Sequence, residues 1–251
     1  MPPLNISTIS QLGDAIRREP RQIIPSSPCS ACSVRHAASY TSLTNDDHVH
    51  LASIASTCDV DRGHMLFIEG DPAKFLYTVV RGTFQMYKLL PDGRRQITGF
   101  LFPGDFLGLA DDDVYAYSAE AVIDAALYRY RFRELEALLV RYPGIENRLL
   151  TIASHELAEA QEQMLLLGRK TAAEKVASFL LVFAERAAQR GEGRDVLIIP
   201  MTRNAIADYL GTSTETVSRI LSRFRHDGLI SSARNNPIEI LDRDALCRIS
   251  E

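Results

Sequence analysis

Two stretches of the chain carry residue types at spacings suited to chemistry. Near the N-terminus, in "CSACSVRHAASY", Cys29 and Cys32 stand three positions apart, with Arg35 and His36 beyond them. A C-x-x-C pair can ligate a metal, cycle between dithiol and disulfide, or remain as two thiols. The second stretch is "TSTETVSRILSRFRH", from Thr212 to His226. On a helix, at about 100° per residue, Glu215, Ser218, Arg219, Ser222 and His226 fall on one face. Val217, Ile220, Leu221 and Phe224 fall on the other. A guanidinium can chelate guanine O6 and N7, a carboxylate can accept from cytosine N4, and a hydroxyl can meet base or phosphate.

Such a face is useful only if it is positioned, and the flanking residues supply the means. Thr202 can cap a helix reaching Leu210, Gly211 supplies a tight turn, and Thr212 with Glu215 forms a possible capping box for the second helix. That is helix-turn-helix geometry, in which the first turns of the second helix enter the major groove. "SSARNNPIEIL" then reads as a polar turn and an edge strand. The segment 202–236 holds five arginines against three acids, net +2 within a chain of net −4. A local basic patch is what phosphate attraction requires, whatever the total charge. The candidate DNA-contacting set is Thr202, Arg203, Ser213, Thr214, Glu215, Thr216, Ser218, Arg219, Ser222 and Arg223. The alternatives are a solvated helix face with Glu215 serving only as a cap, and a winged helix that binds protein alone.

Upstream, Leu150, Ala153, Leu157, Ala160, Met164 and Leu167 are spaced 3, 4, 3, 4, 3, an uncharged heptad seam flanked by Glu156, Glu159, Glu162 and Gln163. A stripe this narrow predicts a helix paired with its counterpart in a homodimer; a core-facing helix usually carries a broader one. Between Val60 and Tyr130, short β-prone runs alternate with glycines. "HMLFI", "FLYTVV", "TFQMYKLL" and "RQITGFL" read as strands, "PDG" as a turn, and "AEAVIDAALYRY" as a strand pair. They predict a small antiparallel roll or barrel. Residues 41–58 predict a helix capped by Thr44 or Asn45. The first 28 residues, with five prolines, predict an irregular arm, with a short helix around Leu12–Arg18.

Composition narrows the function. Apolar content is 46% and charged content 24%, as in a soluble globular protein. The sequence shows neither an apolar run of about 18 residues nor a basic-then-apolar leader, so a cytoplasmic location is expected. Four cysteines (Cys29, Cys32, Cys58, Cys247) do not make a disulfide scaffold at this length. No nucleophile elbow, P-loop or metalloprotease helix is present, so an enzyme is not expected.

From Cys29 onward the chain resembles the Crp/Fnr family of bacterial transcription regulators, most of all its Fnr/FixK branch. "LGTSTETVSRILSRF" is similar to the family's recognition helix, "GDPAKFLYTVVRGTFQMYK" and "RQITGFLFPGDFLG" to its β-roll, and "MLLLGRKTAAEKVASFL" to the end of its dimer helix and the hinge. The resemblance implies an α+β chain with an N-terminal arm bearing the cysteine pair (1–40), a cupin-like antiparallel β-roll of cyclic-nucleotide-binding type (41–143), a dimerisation helix (144–169) and a winged helix-turn-helix domain (170–251). It implies an activator controlling low-oxygen or redox-linked genes, with double-stranded palindromic DNA and RNA polymerase as partners. The E-x-x-S-R pattern on Glu215, Ser218 and Arg219 implies a half-site of TTGAT type. "QITGF" (96–100) resembles a polymerase-contacting surface of Fnr proteins.

The same resemblance marks departures. Cyclic-nucleotide binders of the family use a Gly-Glu and an Arg-Ser/Thr pair. Here Leu109 replaces the glutamate, Tyr117 the arginine, and Asp111, Asp112 and Asp113 add charge that repels a phosphate. No cyclic nucleotide is expected. Cluster-bearing relatives add a third cysteine a few residues after the C-x-x-C pair and a fourth in the roll. Those positions hold Ala38 or Tyr40, and Tyr128. A 4Fe–4S cluster is therefore not expected, and Cys29 and Cys32 become candidate redox thiols. The alternative is a cluster on a non-standard set, Cys29 and Cys32 completed by Cys58 or His36.

Overall fold

The computed structural model describes residues 43–108, 110–111, 113–193, 195–232 and 237–251. Cys29, Cys32, Arg35, His36, Ala38, Tyr40 and the rest of the expected arm lie outside the described residues, as do Leu109, Asp112 and Arg234.

Helix α1 (Asn45–Ile54) opens on Thr44, whose hydroxyl accepts from the Asp47 amide while the Asp47 carboxylate accepts from the Thr44 amide at 2.6 Å. The helix stops short of the expected 58. Ala55–Val60 form strand β1, paired antiparallel with β8 from Ala55↔Tyr130 to Val60↔Ala125. Ser, Thr, Cys and Val favour helix weakly, and a neighbouring strand satisfies their backbone better than a frayed helix end does.

Strands β2 (Met65–Phe67), β3 (Phe75–Leu89), β4 (Arg95–Leu101), β5 (Phe106–Leu107), β6 (Ala110–Asp111), β7 (Val114–Tyr115) and β8 (Ser118–Arg131) follow. The main sheet runs β1-β8-β3-β4, with β2 added to β8 and β5 to β3. Two expectations are corrected here. "FLYTVV" and "TFQMYKLL" are one 15-residue strand, and 118–131 is a single strand instead of a pair. Gly82 explains the first. Its φ is +93°, and an added Cβ would lie 2.5 Å from the Ala125 Cβ. The register slips around it, so the glycine bulges and bends β3 without ending it.

Helices α2 (Phe132–Arg141), α3 (Pro143–Arg169) and α4 (Ala172–Gln189) come next. Pro143 starts α3, and the extended Lys170 stops it. Thr171 and Glu174 cap α4 reciprocally. Strand β9 (Val196–Ile198), helices α5 (Arg203–Leu210) and α6 (Thr214–His226), strands β10 (Ile230–Ser232) and β11 (Pro237–Ile240) and helix α7 (Arg243–Ser250) complete a winged helix whose sheet runs β10-β11-β9.

Among the described residues three apolar cores form. One fills the roll around Phe67, Tyr77, Phe84 and Leu127. One joins α1, α2 and the start of α3 around Leu51, Leu135 and Ile145. The third belongs to the winged helix, yet Tyr87, Ile97, Phe100 and Phe102 of the roll are part of it. The Phe183 ring of α4 meets Phe100 and Phe102 edge-on at 5.9 and 5.6 Å. The 96–100 stretch, expected to resemble a polymerase-contacting surface, is thus shared with the chain's own packing. Ile97 and Phe100 are buried against the chain's own winged helix, and of the five residues only Thr98 is well exposed.

Candidate nucleic-acid interface

Thr202 caps α5 by accepting from the Ala205 amide at 3.1 Å. Gly211 closes the helix in the left-handed conformation, φ +58° and ψ +46°. The cap of α6 is Ser213, which accepts from the Thr216 amide at 3.2 Å. The expected cap, Thr212, instead donates its amide to Ala207 O and completes the end of α5. Glu215 therefore sits in the first turn of α6. Its own amide and the Ser213 hydroxyl hold its carboxyl below the ordinary range, so it is an anionic acceptor near neutral pH.

The two faces of α6 separate as expected. Val217, Ile220, Leu221 and Phe224 are buried in the winged-helix core. Glu215, Ser218, Arg219, Ser222 and Arg223 are exposed, and Thr214 and Thr216 half-buried. Thr202 is exposed and Arg203 half-buried at the start of α5. Arg203 is held below its usual range by burial and then by the charge of Arg225, so an anion beside this pair would be favoured. Arg223 Nε lies 3.4 Å from Asp227. Ser222 accepts from Arg225 at 2.9 Å, and Thr214 donates to Asn204 Oδ1 at 3.0 Å. Asn204 and Arg225 were absent from the candidates read in the sequence. Arg225 is two turns beyond Ser218 on the same face, a signal that periodicity contains. Asn204 gives none, because only the packing of α5 on α6 brings it to Thr214.

The seam of α3 divides. Leu150, Leu157 and Met164 are 60, 61 and 69% exposed, one heptad apart on a helix whose Ile145, Ile152 and Leu166 are buried in the chain's own cores. Large apolar side chains repeated this way along one face form a stripe that a second helix can cover. Ala160 is exposed on the same face and Ala153 half-buried. Leu167 differs from these: it is half-buried and packs on the winged-helix core of its own chain, with Cδ2 3.1 Å from where a Cβ on Gly211 would lie.

A polar joint links the roll, α3 and the winged helix. Arg186 of α4 donates to Phe100 O at 2.9 Å and to Glu159 of α3, and lies 4.0 Å from Asp105. Burial raises the Asp105 carboxyl despite Arg186 and an amide bond from Phe102. Burial, then Asp105 and Glu159, push Glu156 up to about 7 against the pull of Arg186.

Residues 58–142 match the cyclic nucleotide-binding domain family, and 174–249 the Crp-like helix-turn-helix family. The nitrogen fixation regulation protein FixK of Bradyrhizobium diazoefficiens is 36% identical over 214 residues, 85% of this chain and 90% of that protein. The chain belongs to the Crp/Fnr family. The transcriptional activator protein anr of Pseudomonas aeruginosa is 34% identical over 90% of this chain and 94% of its own length. The structure of FixK2 from Bradyrhizobium japonicum superposes with a TM-score of 0.74 at 36% identity, covering 79% of this chain and 98% of that one.

Within this Crp/Fnr chain the roll interior is occupied by its own aromatic rings. Phe67 stacks on Tyr115 at 3.8 Å, and Tyr77 is buried beside them. The Tyr117 hydroxyl, where family binders of cyclic nucleotides have an arginine, accepts from the Gly108 amide at 2.9 Å. Cys58 lies in β1 against the roll core, while Cys247 is buried in the winged-helix core. Among the described residues no three His, Cys, Asp or Glu side chains are grouped to hold a metal, and no helix is long and apolar enough to cross a membrane.

Proposed function

We propose that this chain is a homodimeric transcription activator of the Fnr/FixK branch that reads a TTGAT-type inverted repeat in the cytoplasm. The observation that carries the reading is the exposed Glu215–Ser218–Arg219 face at the start of α6, backed by a buried apolar face. Two copies joined along Leu150, Leu157 and Met164 would present two such faces, matching half-sites about one turn of DNA apart. The names of the relatives, a nitrogen fixation regulation protein and a transcriptional activator protein, support a regulator with an activating output, and low-oxygen or redox-linked genes are the targets this reading assigns to it. RNA polymerase is the partner on which an activator acts, and the exposed Thr98 within 96–100 is the part of that stretch open to it.

The regulator works without cyclic nucleotide. The amide of Gly108 and the roll interior are already engaged by the chain's own tyrosines, and Asp113 adds negative charge. It also works without a 4Fe–4S cluster. What supports this is that Cys58 packs against the roll core and Cys247 lies buried in the winged-helix core, which argues against four cysteines sharing one cage. Cys29 and Cys32 act as thiols, redox-responsive if Arg35 lowers their pKa.

Binding to a palindromic TTGAT-type duplex, compared with one carrying a scrambled half-site, tests the reading. Affinity falls sharply on the scrambled site; equal affinity on both overturns the dimeric mode. Protein purified without oxygen is expected to be colourless, and to keep its DNA binding in air and in the Cys29→Ser, Cys32→Ser variant. A brown preparation with about four irons per chain that loses DNA binding in air would establish the cluster instead.

A further inference from the structure

A helix leaves its last carbonyls without intrahelical partners. At the end of α5, Ala207 O is taken by the amides of Gly211 and Thr212. The next two carbonyls are capped from elsewhere. Gln96 of β4 donates its side-chain amide to Asp208 O at 2.7 Å and reaches Tyr209 O at 3.3 Å. Gln163 of α3 donates to Tyr209 O at 2.9 Å. Arg95, beside Gln96, places Nε and Nη2 3.2 Å from the Asp208 carboxylate, and Nη1 3.4 Å from Glu120 of β8. The corner that aims α6 is thus gripped from the roll and from the seam helix at once. Gln163 is the immediate neighbour of the exposed seam residue Met164.

We propose that Gln96 and Gln163 are positioning residues for DNA recognition: by capping the end of α5 from two separate units, they set the pose of the reading helix relative to the dimer axis. The inference rests on the dimeric DNA-binding reading above. Neither glutamine is on the exposed face of α6, so neither is placed to contact a base. Their effect is on geometry between the two reading helices. Because the groups that cap the carbonyls are neutral amides, the tie is also less sensitive to salt than the Arg95 ion pairs are.

The test measures affinity for duplexes whose two half-sites are moved closer or farther by one or two base pairs, and for a duplex with one half-site. The proteins are the full-length chain, Gln96→Ala, Gln163→Ala and the double variant, each checked for dimerisation by sedimentation. Wild type is expected to show one sharp spacing optimum. The double variant should lose about tenfold at that optimum, the equivalent of one or two lost hydrogen bonds. It should lose much less at the shifted spacings, keep its single half-site affinity, and remain dimeric. A variant profile identical to wild type overturns the positioning role, and so does an equal loss on every duplex including the single half-site. A wild type indifferent to spacing removes the dimeric reading itself and the positioning role with it.

Discussion

The Thr214 hydroxyl donates to Asn204 Oδ1 at 3.0 Å, tying the first residue of the reading helix to the helix before it. Thr214 therefore begins the helix with its hydroxyl donor already engaged. Asn204→Ala should release that hydroxyl and alter preference at the outer bases of the half-site, with specific affinity changing by about 1 kcal/mol. Asn204 is exposed, so the melting temperature should barely move. Selection of binding sites from a randomised pool would read the preference directly, and an unchanged consensus would remove Asn204 from the reading set.

Arg219 and Arg223 should separate by mechanism. Arg219→Ala is expected to cost about 1–3 kcal/mol on the specific site and to relax preference at one guanine. Arg223, one turn on, must leave Asp227 to meet a phosphate. Arg223→Ala should weaken every duplex by a similar, smaller amount and lower the salt slope by about one. Salt titrations on specific and random duplexes distinguish the two.

Met164→Glu should dissociate the dimer without touching a DNA-facing atom. Each copy loses a large apolar side chain from the stripe, worth about 1.5–3 kcal/mol when fully buried, and gains a carboxylate opposite its own image. A dimer dissociation constant at least about a hundredfold higher is expected by sedimentation. Leu167→Ala should behave differently, lowering the melting temperature of the winged helix while the dimer persists, because Leu167 packs on its own chain.

The joint at Glu156 predicts a pH dependence. The carboxyl ordinarily ionises at 4.5 and here at about 7, so the folded state holds the proton more tightly than the unfolded chain. Its contribution to stability is then full below 4.5 and is lost as pH rises through about 7. Glu156→Gln should remove that loss, so the melting-temperature gap between variant and wild type should widen in the variant's favour as pH rises over this range. A constant gap would mean that Glu156 titrates normally.

The reading helices were legible because what defines them is local. Thr202, Gly211 and the spacing of Val217, Ile220, Leu221 and Phe224 lie within a few turns of one another. The misplaced cap shows where local reading fails. Thr212 and Ser213 are both acceptable caps by type, and only the bond from the Thr212 amide back to Ala207 decides between them. The continuity of β3 through Gly82 depends on Ala125 of a strand more than forty residues away. Leu167 continues the heptad perfectly by number, yet the hinge at Lys170 folds the winged helix onto it. The shared capping role of Gln96 and Gln163 carried no signal, since nothing in their neighbourhoods reveals that both end on Tyr209.

Tyr87, Ile97, Phe100 and Phe102 complete a core that otherwise belongs to the winged helix. A chimera that joins this DNA-binding domain to another sensor by cutting at Lys170 would leave the four rings and chains behind and open an apolar breach along α4 and α5. Grafts that import the β3–β4 hairpin together with residues 170–251 should be soluble where the simple exchange aggregates. The unit that can be traded between regulators of this kind is discontinuous in sequence, and its true border runs through the roll.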